Sequence, residues 1–260
     1  MQFNTIQYAE SQGVVTITLN RPDKRNSISY ELIRDLLAGL EAAAASPAQV
    51  LILTGAGKSF CAGMDLGNLQ ELFGRTQEQS IQDSETAGRL FRAIYDFPKP
   101  TIAAVNGAAI AGGTGLVTVC DFALAVPEAK FGYTEVRIGF IPAIVSSFLI
   151  PIVGEKRARE LLLTGRIFNA EEAHKLGLVN EIVQPDELMK RARELAAQLL
   201  ENSPASLRAT KSLLSGYTRD QLDRQIAQAV RLNAAIRQTA DFKEGISAFL
   251  EKRKPKWKGE

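Results

Sequence analysis

Two glycine-rich turns, each set directly behind an apolar run, constrain this chain more than any other feature. The first is SFCAGMDL at Ser59–Leu66, behind the run LILT; the second is VNGAAIAGGTGL at Val105–Leu116, behind TIAAV at Thr101–Val105. Short apolar runs bounded by turn signals have the length and composition of strands buried on both faces. Glycine at their ends lets one backbone approach another, or a ligand, with no Cβ in between. Two such turns side by side can aim two amide N–H groups at one oxygen, the arrangement that stabilises an oxyanion.

The remaining pattern predicts an α/β fold. Val14–Leu19 alternates as a strand, Val50–Leu53 and Phe122–Val126 read as buried strands, and Ser29–Ala45 has helical periodicity ending at Ser46–Pro47. Asn68–Arg92 is polar and mixed, and reads as a mobile cover. Strand–strand–helix units run to about residue 195. From Asp186 the chain turns helical, with segments at Asp186–Leu200, Pro204–Leu214, Arg219–Arg237 and Asp241–Lys252. Ser203–Pro204 has the cap-then-proline order of a helix start. The alanine and leucine stripes of these helices need a surface to cover, either the core or another subunit.

Composition narrows the function. The 260 residues are 45% apolar, enough for one large domain with an appendage. The charges, 31 basic against 29 acidic, leave +2, too balanced for a nucleic-acid binder. Two cysteines, Cys61 and Cys120, give neither a disulfide framework nor metal-ligand spacing, and fit a reducing cytoplasm. No signal peptide is recognisable, and no apolar run approaches a membrane span. The basic residues cluster at Lys24–Arg25 and in EKRKPKWK at Glu251–Lys258, which suits a phosphorylated ligand as well as a solvated terminus.

Three rival motifs fail. TGAGKSF lacks the upstream glycine of a nucleotide-binding loop, because Ile52 stands there. AGGTG lacks dinucleotide-fingerprint spacing. His174 is the sole histidine, which rules out a site built from several histidines, and Ser146 and Ser147 have no nucleophile elbow.

The paired turns, together with FGYTEVRIGFIP at Phe131–Pro142 and GLVNEIV at Gly177–Val183, resemble the crotonase (enoyl-CoA hydratase/isomerase) superfamily over Arg21 to Trp257. That resemblance implies a spiral of ββα units (residues 1–195) with a C-terminal helical trimerisation region (196–260), assembling as a trimer or a dimer of trimers. It implies an acyl-CoA substrate, as in fatty acid metabolism, with coenzyme A entering as part of the substrate and no metal or redox cofactor. The oxyanion donors would be the backbone amides of Met64 and Gly112. Lys24, Arg25, Ala62, Met64, Asp65, Leu66, Gly67, Gly112, Phe249 and Lys252 would contact the substrate, with the cations near the CoA phosphates.

Superfamily hydratases have two glutamates, one just after the second turn and one about twenty residues later. Here the later position is Glu135 and the earlier is Gly115. A carboxylate among Phe131, Val136, Ile138 and Phe140 is expected to have a raised pKa suited to acid–base work. Hydration of a 2-enoyl-CoA is the expected activity. Isomerisation of a 3-enoyl to a 2-enoyl ester by Glu135 alone is the first alternative, and a non-catalytic CoA-binding relative the second. Glu71, Glu78, Asp83 or Glu85 could supply a substitute acid. Asp65 and Asp121 read mainly as turn-tying residues.

Overall fold

The structure is a computed structural model that describes residues 3–260 and, of Leu66, the backbone alone. Ten strands among the described residues form two sheets. The larger contains β1 (Ile6–Ser11), β2 (Val14–Leu19), β3 (Val50–Gly55), β5 (Thr101–Val105), β7 (Phe122–Ala125) and β10 (Glu181–Ile182), in the order β1-β2-β3-β5-β7-β10. The smaller contains β4 (Ser59–Cys61), β6 (Ala108–Ile110), β8 (Lys130–Gly132) and β9 (Phe168–Asn169), in that order. β1 and β2 form an antiparallel hairpin through Gln12–Gly13, both at positive φ, as a tight two-residue turn requires. The rest of the larger sheet is parallel. All six residues of β3 and all five of β5 are buried, as strands covered on both faces must be.

The pairs β3/β4, β5/β6 and β7/β8 each place their first strand in the large sheet and their second in the small one. A helix follows each pair, so the chain advances as strand–strand–helix turns of a spiral. Both glycine turns therefore contain a short strand (β4 or β6) that composition alone does not mark. The three parallel strands of the smaller sheet stack these turns side by side. A Cβ on Gly113 would fall onto the Cys61 carbonyl, and one on Gly63 would stand 2.9 Å from the Ile110 carbonyl oxygen. Glycine is needed at both places because the two turns press on each other.

Eleven α-helices complete the described chain: α1 (Tyr30–Ala45), α2 (Leu66–Glu71), α3 (Gln77–Tyr95), α4 (Gly112–Thr118), α5 (Ala143–Val153), α6 (Glu155–Thr164), α7 (Ala170–Lys175), α8 (Leu188–Leu200), α9 (Pro204–Gly216), α10 (Arg219–Ile236) and α11 (Ala240–Leu250). The segment expected to cover the site, Asn68–Arg92, is mainly helical and lines the cavity described below. Most of that segment is α3, opened by a capping box in which Thr76 and Gln79 exchange bonds of 3.2 and 2.9 Å.

The four terminal helices occur where their periodicity predicts. Residue 195 falls inside α8, which packs on β3, β5 and β7. α10 lies against α3 and α5, and α11 against α2 and the turn that carries Glu135. None of the α-helices is long and apolar enough to cross a membrane, among the described residues.

Candidate active site

The first turn is held open by the loop before α1. Asn26, fully buried at φ +54°, accepts from the Arg21 amide (2.9 Å) and donates to the carbonyls of Ala56 (2.9 Å) and Ser59 (2.7 Å). Through this anchor the loop runs alongside the turn: Ala62 N–H donates to Arg25 O (3.0 Å), Ile28 N–H to Gly63 O (2.7 Å) and Asp65 N–H to Ile28 O (3.0 Å). The amide of Met64, between two bonded neighbours, has no acceptor among the described residues. Asp65 caps α2 through the Gly67 amide (2.9 Å) and is held by Ser27 (2.9 Å) and Arg21 (2.9 Å). Its carboxyl sits below the ordinary range because these donors outweigh its partial burial.

The second turn is strained. Ala111, just before α4, has φ +52° and ψ −120°, a conformation that costs a residue with a Cβ of order 1–3 kcal/mol. Its own amide is fixed to the Gly132 carbonyl at 2.7 Å. The next amide, of Gly112, opens α4 and has no acceptor among the described residues. A strained residue that frees the amide after it is a sign of function.

Glu135 begins a 3-10 turn, Glu135–Ile138, behind β8. The residue is half-buried, and its Oε2 is buried with no hydrogen-bond partner among the described residues. Desolvation raises its pKa from 4.5 to about 7. Tyr133, two residues earlier, is fully buried and fixed to the Thr118 hydroxyl at 2.7 Å, which ties this segment to α4.

These elements enclose a cavity of about 620 Å³. Of the residues singled out from sequence, Lys24, Arg25, Ala62, Met64, Asp65, Gly67, Gly112, Glu135 and Phe249 line it. The side chain of Leu66 lies outside the described residues. Lys252 is exposed beyond the end of α11 and is not part of the wall. Asp121 ties β5 to the C-terminal region instead, accepting from Thr101 N–H (2.8 Å) and pairing with Lys211 (2.6 Å). His174 bonds the Val179 carbonyl at 2.9 Å and stays structural.

At the earlier glutamate position, Gly115, there is no room for a side chain. A Cβ there would stand 2.5 Å from Val145 Cγ1 and 2.8 Å from Phe91 Cε1. Of the four suggested substitute acids, only Asp83 lines the cavity; Glu71, Glu78 and Glu85 are exposed. Asp83 pairs with Arg75 (3.1 Å) and Arg237 (3.2 Å). Sequence reasoning missed Asn26, Ala111, Phe91, Val145 and Arg237. Their roles arise from backbone conformation or from partners more than 20 residues away, which leave no local pattern.

The family model for enoyl-CoA hydratase/isomerase matches residues 9–260. The chain belongs to this family. It is 45% identical over 249 residues to the "Putative enoyl-CoA hydratase" of Thermus thermophilus, covering 95% of this chain and 98% of the relative. It is 34% identical to the crotonyl-CoA hydratase of Syntrophomonas wolfei, covering 98% of both. Among solved structures, an enoyl-CoA hydratase/isomerase from Xanthobacter autotrophicus superposes with a TM-score of 0.90 at 29% identity, over 96% of this chain and 94% of the other. The crotonase-type α/β fold and membership of an enzyme family thus stand on the whole chain.

Proposed function

We propose that this enzyme hydrates a 2-enoyl-CoA, with Glu135 as its acid–base group and the amides of Met64 and Gly112 as donors to the thioester oxygen. The observation that carries the reading is Glu135 itself: a carboxyl on the cavity wall with one oxygen buried and unpartnered, its pKa raised by desolvation to about 7. Water adds to C3, and charge moves through the conjugated system onto the thioester oxygen. The two free amides stabilise that charge; losing one such donor in other enzymes costs about 3 kcal/mol. The protonated Glu135 carboxyl gives its proton to C2, and its other oxygen accepts a proton from the adding water, so the carboxyl is regenerated. Substrate and protein supply every group this step needs, with no metal or redox cofactor.

Exposed Lys24 and Arg25 on the cavity rim, with Phe249 and the nearby Lys252, suit the phosphates and adenine of coenzyme A. The exposed apolar side chains of Leu213, Leu214 and Tyr217 on and just after α9 support self-assembly as a trimer or dimer of trimers. The +2 net charge favours a small-molecule substrate over nucleic acid, and the thiol usage favours the cytoplasm.

One observation favours a second reading. The place of a second carboxylate is filled by Phe91 and Val145, leaving Glu135 alone to move protons. A lone carboxylate suffices to carry a proton from C2 to C4 of an enolate, which is isomerisation. The deciding assay offers crotonyl-CoA, 2-hexenoyl-CoA and 3-hexenoyl-CoA in deuterated water. Hydration removes the conjugated-thioester absorbance of the 2-enoyl esters, whereas isomerisation of the 3-enoyl ester creates it. Hydration is the expected dominant rate; faster appearance of conjugation would establish the second reading. Thermal stabilisation by CoA esters with no turnover on any of them would leave a binder without catalysis.

A further inference from the structure

The cavity ends in a charge cluster that the reaction at C2 and C3 does not use. Arg237, the residue closing α10, lines the cavity with only 3% of its side chain exposed. One terminal nitrogen, Nη1, reaches Asp83 Oδ2 at 3.2 Å; the other, Nη2, donates to Asn233 Oδ1 (2.9 Å) and Ser84 Oγ (3.2 Å). Its Nε is buried and has no acceptor among the described residues. The same Asp83 oxygen also takes Arg75 Nε at 3.1 Å and the Tyr30 hydroxyl at 3.3 Å. Two guanidinium groups therefore share one carboxylate. Glu71, the other acid beside Arg75, reaches it only at 3.8 Å and is 56% exposed, so it compensates little.

The cluster's position follows from α3. Asp83, Ala87, Leu90 and Phe91 all line the cavity, so this helix runs along it. The Phe91 ring lies 3.9 Å from where a Cβ on Gly112 would sit, beside the turn that would receive the thioester. Asp83 is eight residues back along the helix, about 12 Å at 1.5 Å per residue. The wall between them is apolar. An acyl chain leaving the thioester along α3 passes Leu90 and Ala87 first and then meets the buried guanidinium of Arg237, whose Nε has no acceptor among the described residues. Burying a guanidinium is costly unless it is fully paired, so a second anion would complete what Asp83 alone does not.

We infer that the acyl group of the preferred substrate ends in a carboxylate, received by Arg237, so that the enzyme acts on ω-carboxy enoyl-CoA esters rather than on plain fatty enoyl-CoAs. This rests on the acyl-CoA reading above and specifies its substrate class.

The test begins with binding to the wild-type enzyme, so that turnover is not needed. Adipoyl-CoA is compared with hexanoyl-CoA, and suberoyl-CoA with octanoyl-CoA, by calorimetry; the two lengths bracket the reach to Arg237. The ω-carboxy ester is expected to bind at least about tenfold tighter at one or both lengths, the gain typical of one charge-assisted hydrogen bond. Equal or weaker binding of both dicarboxylic esters overturns the inference while leaving the acyl-CoA reading intact. Failure of all four esters to bind overturns both. Next, the ratio of kcat/KM for 2-hexenedioyl-CoA to that for 2-hexenoyl-CoA is compared between wild type and Arg237→Met. Both esters use the same chemical step, so general damage to the fold cancels in the ratio. A fall of tenfold or more in the variant supports the assignment, and an unchanged ratio refutes it. If Arg237→Met does not fold, Arg237→Gln, which keeps a polar donor beside Asn233 and Ser84 but no charge, is read in the same way.

Discussion

Glu135 ties the chemistry of this chain to its stability. Burial moves its pKa from 4.5 to about 7, so the folded state holds that proton over a range where the unfolded state has lost it. Folded protein binds more protons there, so the site's contribution to stability is complete below about pH 4.5 and is lost as pH rises through about 7. Glu135→Gln cannot ionise. It is therefore expected to be more stable than wild type at pH 8, by up to about 3 kcal/mol, and to match it near pH 4.5. Denaturant unfolding at both pH values checks this. The same variant should lose 10²- to 10⁴-fold in kcat with CoA-ester affinity changed only a few-fold. Gly115 makes the complementary case. Gly115→Glu alone should lower Tm, because its Cβ meets Val145 and Phe91; overpacking of this kind costs about 1–3 kcal/mol. Adding Phe91→Ala and Val145→Ala removes both contacts, and the triple variant should gain hydration over its Phe91→Ala/Val145→Ala parent. Glu135 was legible from its motif and its apolar neighbours. That Gly115 is sterically closed was not, because Phe91 and Val145 lie 24 and 30 residues away along the chain.

Among elements, the strands behind the glycine turns and the four terminal helices were legible because each carries its own periodicity or burial run. α3 was not, for a physical reason. Its buried face at the N-terminal end is Ser80, Ser84 and Gly88, spaced i, i+4, i+8 in small residues instead of apolar ones. That stripe lets α10 come close, and Ser84 bonds Asn233 of α10 at 2.8 Å. A helix whose buried stripe is small and polar reads in sequence as surface. The seam yields a prediction: a Cβ on Gly88 would meet Ile226, Ile144 and Val230 at 3.7–3.9 Å, ordinary contact distances. Gly88→Ala should therefore stabilise the protein by about 0.5–1 kcal/mol, the helix-interior preference for alanine. Gly88→Leu should wedge α3 from α10 and lower Tm. A destabilised Gly88→Ala variant would mean that this seam has no room.

At the scale of the molecule, the terminal helices do more within this chain than an assembly region would. Phe242 and Ile246 of α11 are fully buried in a second core with Leu69, Leu72 and Phe140, linking α2 at the first turn to the segment behind Glu135. Gly245 sits so close to that segment that a Cβ would fall onto the Ile138 carbonyl. The tail then folds back: Arg253 pairs with Glu244, and the amide of Lys258 donates to Asp241 at 2.6 Å. The amphipathic stripes announced that these helices cover something, but not what, since a stripe carries no address. Truncation after Gln238 should thus act first on catalysis. Without α11 the 3-10 turn loses its backing, Glu135 gains water and its pKa falls toward 4.5, and α2 loses the residues it packs on. Turnover should drop at least 10²-fold, with faster amide exchange at residues 64–74 and 135–141. A single change separates this from loss of assembly. Gly245→Val keeps the tail and the exposed Leu213, Leu214 and Tyr217, yet its side chain pushes α11 off the Glu135 turn. It is expected to sediment as wild type while losing tenfold or more in kcat, with the kcat/KM titration near pH 7 shifted to lower pH. If Gly245→Val keeps full kcat and the wild-type pH profile, the Glu135 turn is self-supporting and α11 serves only to bury its own apolar face.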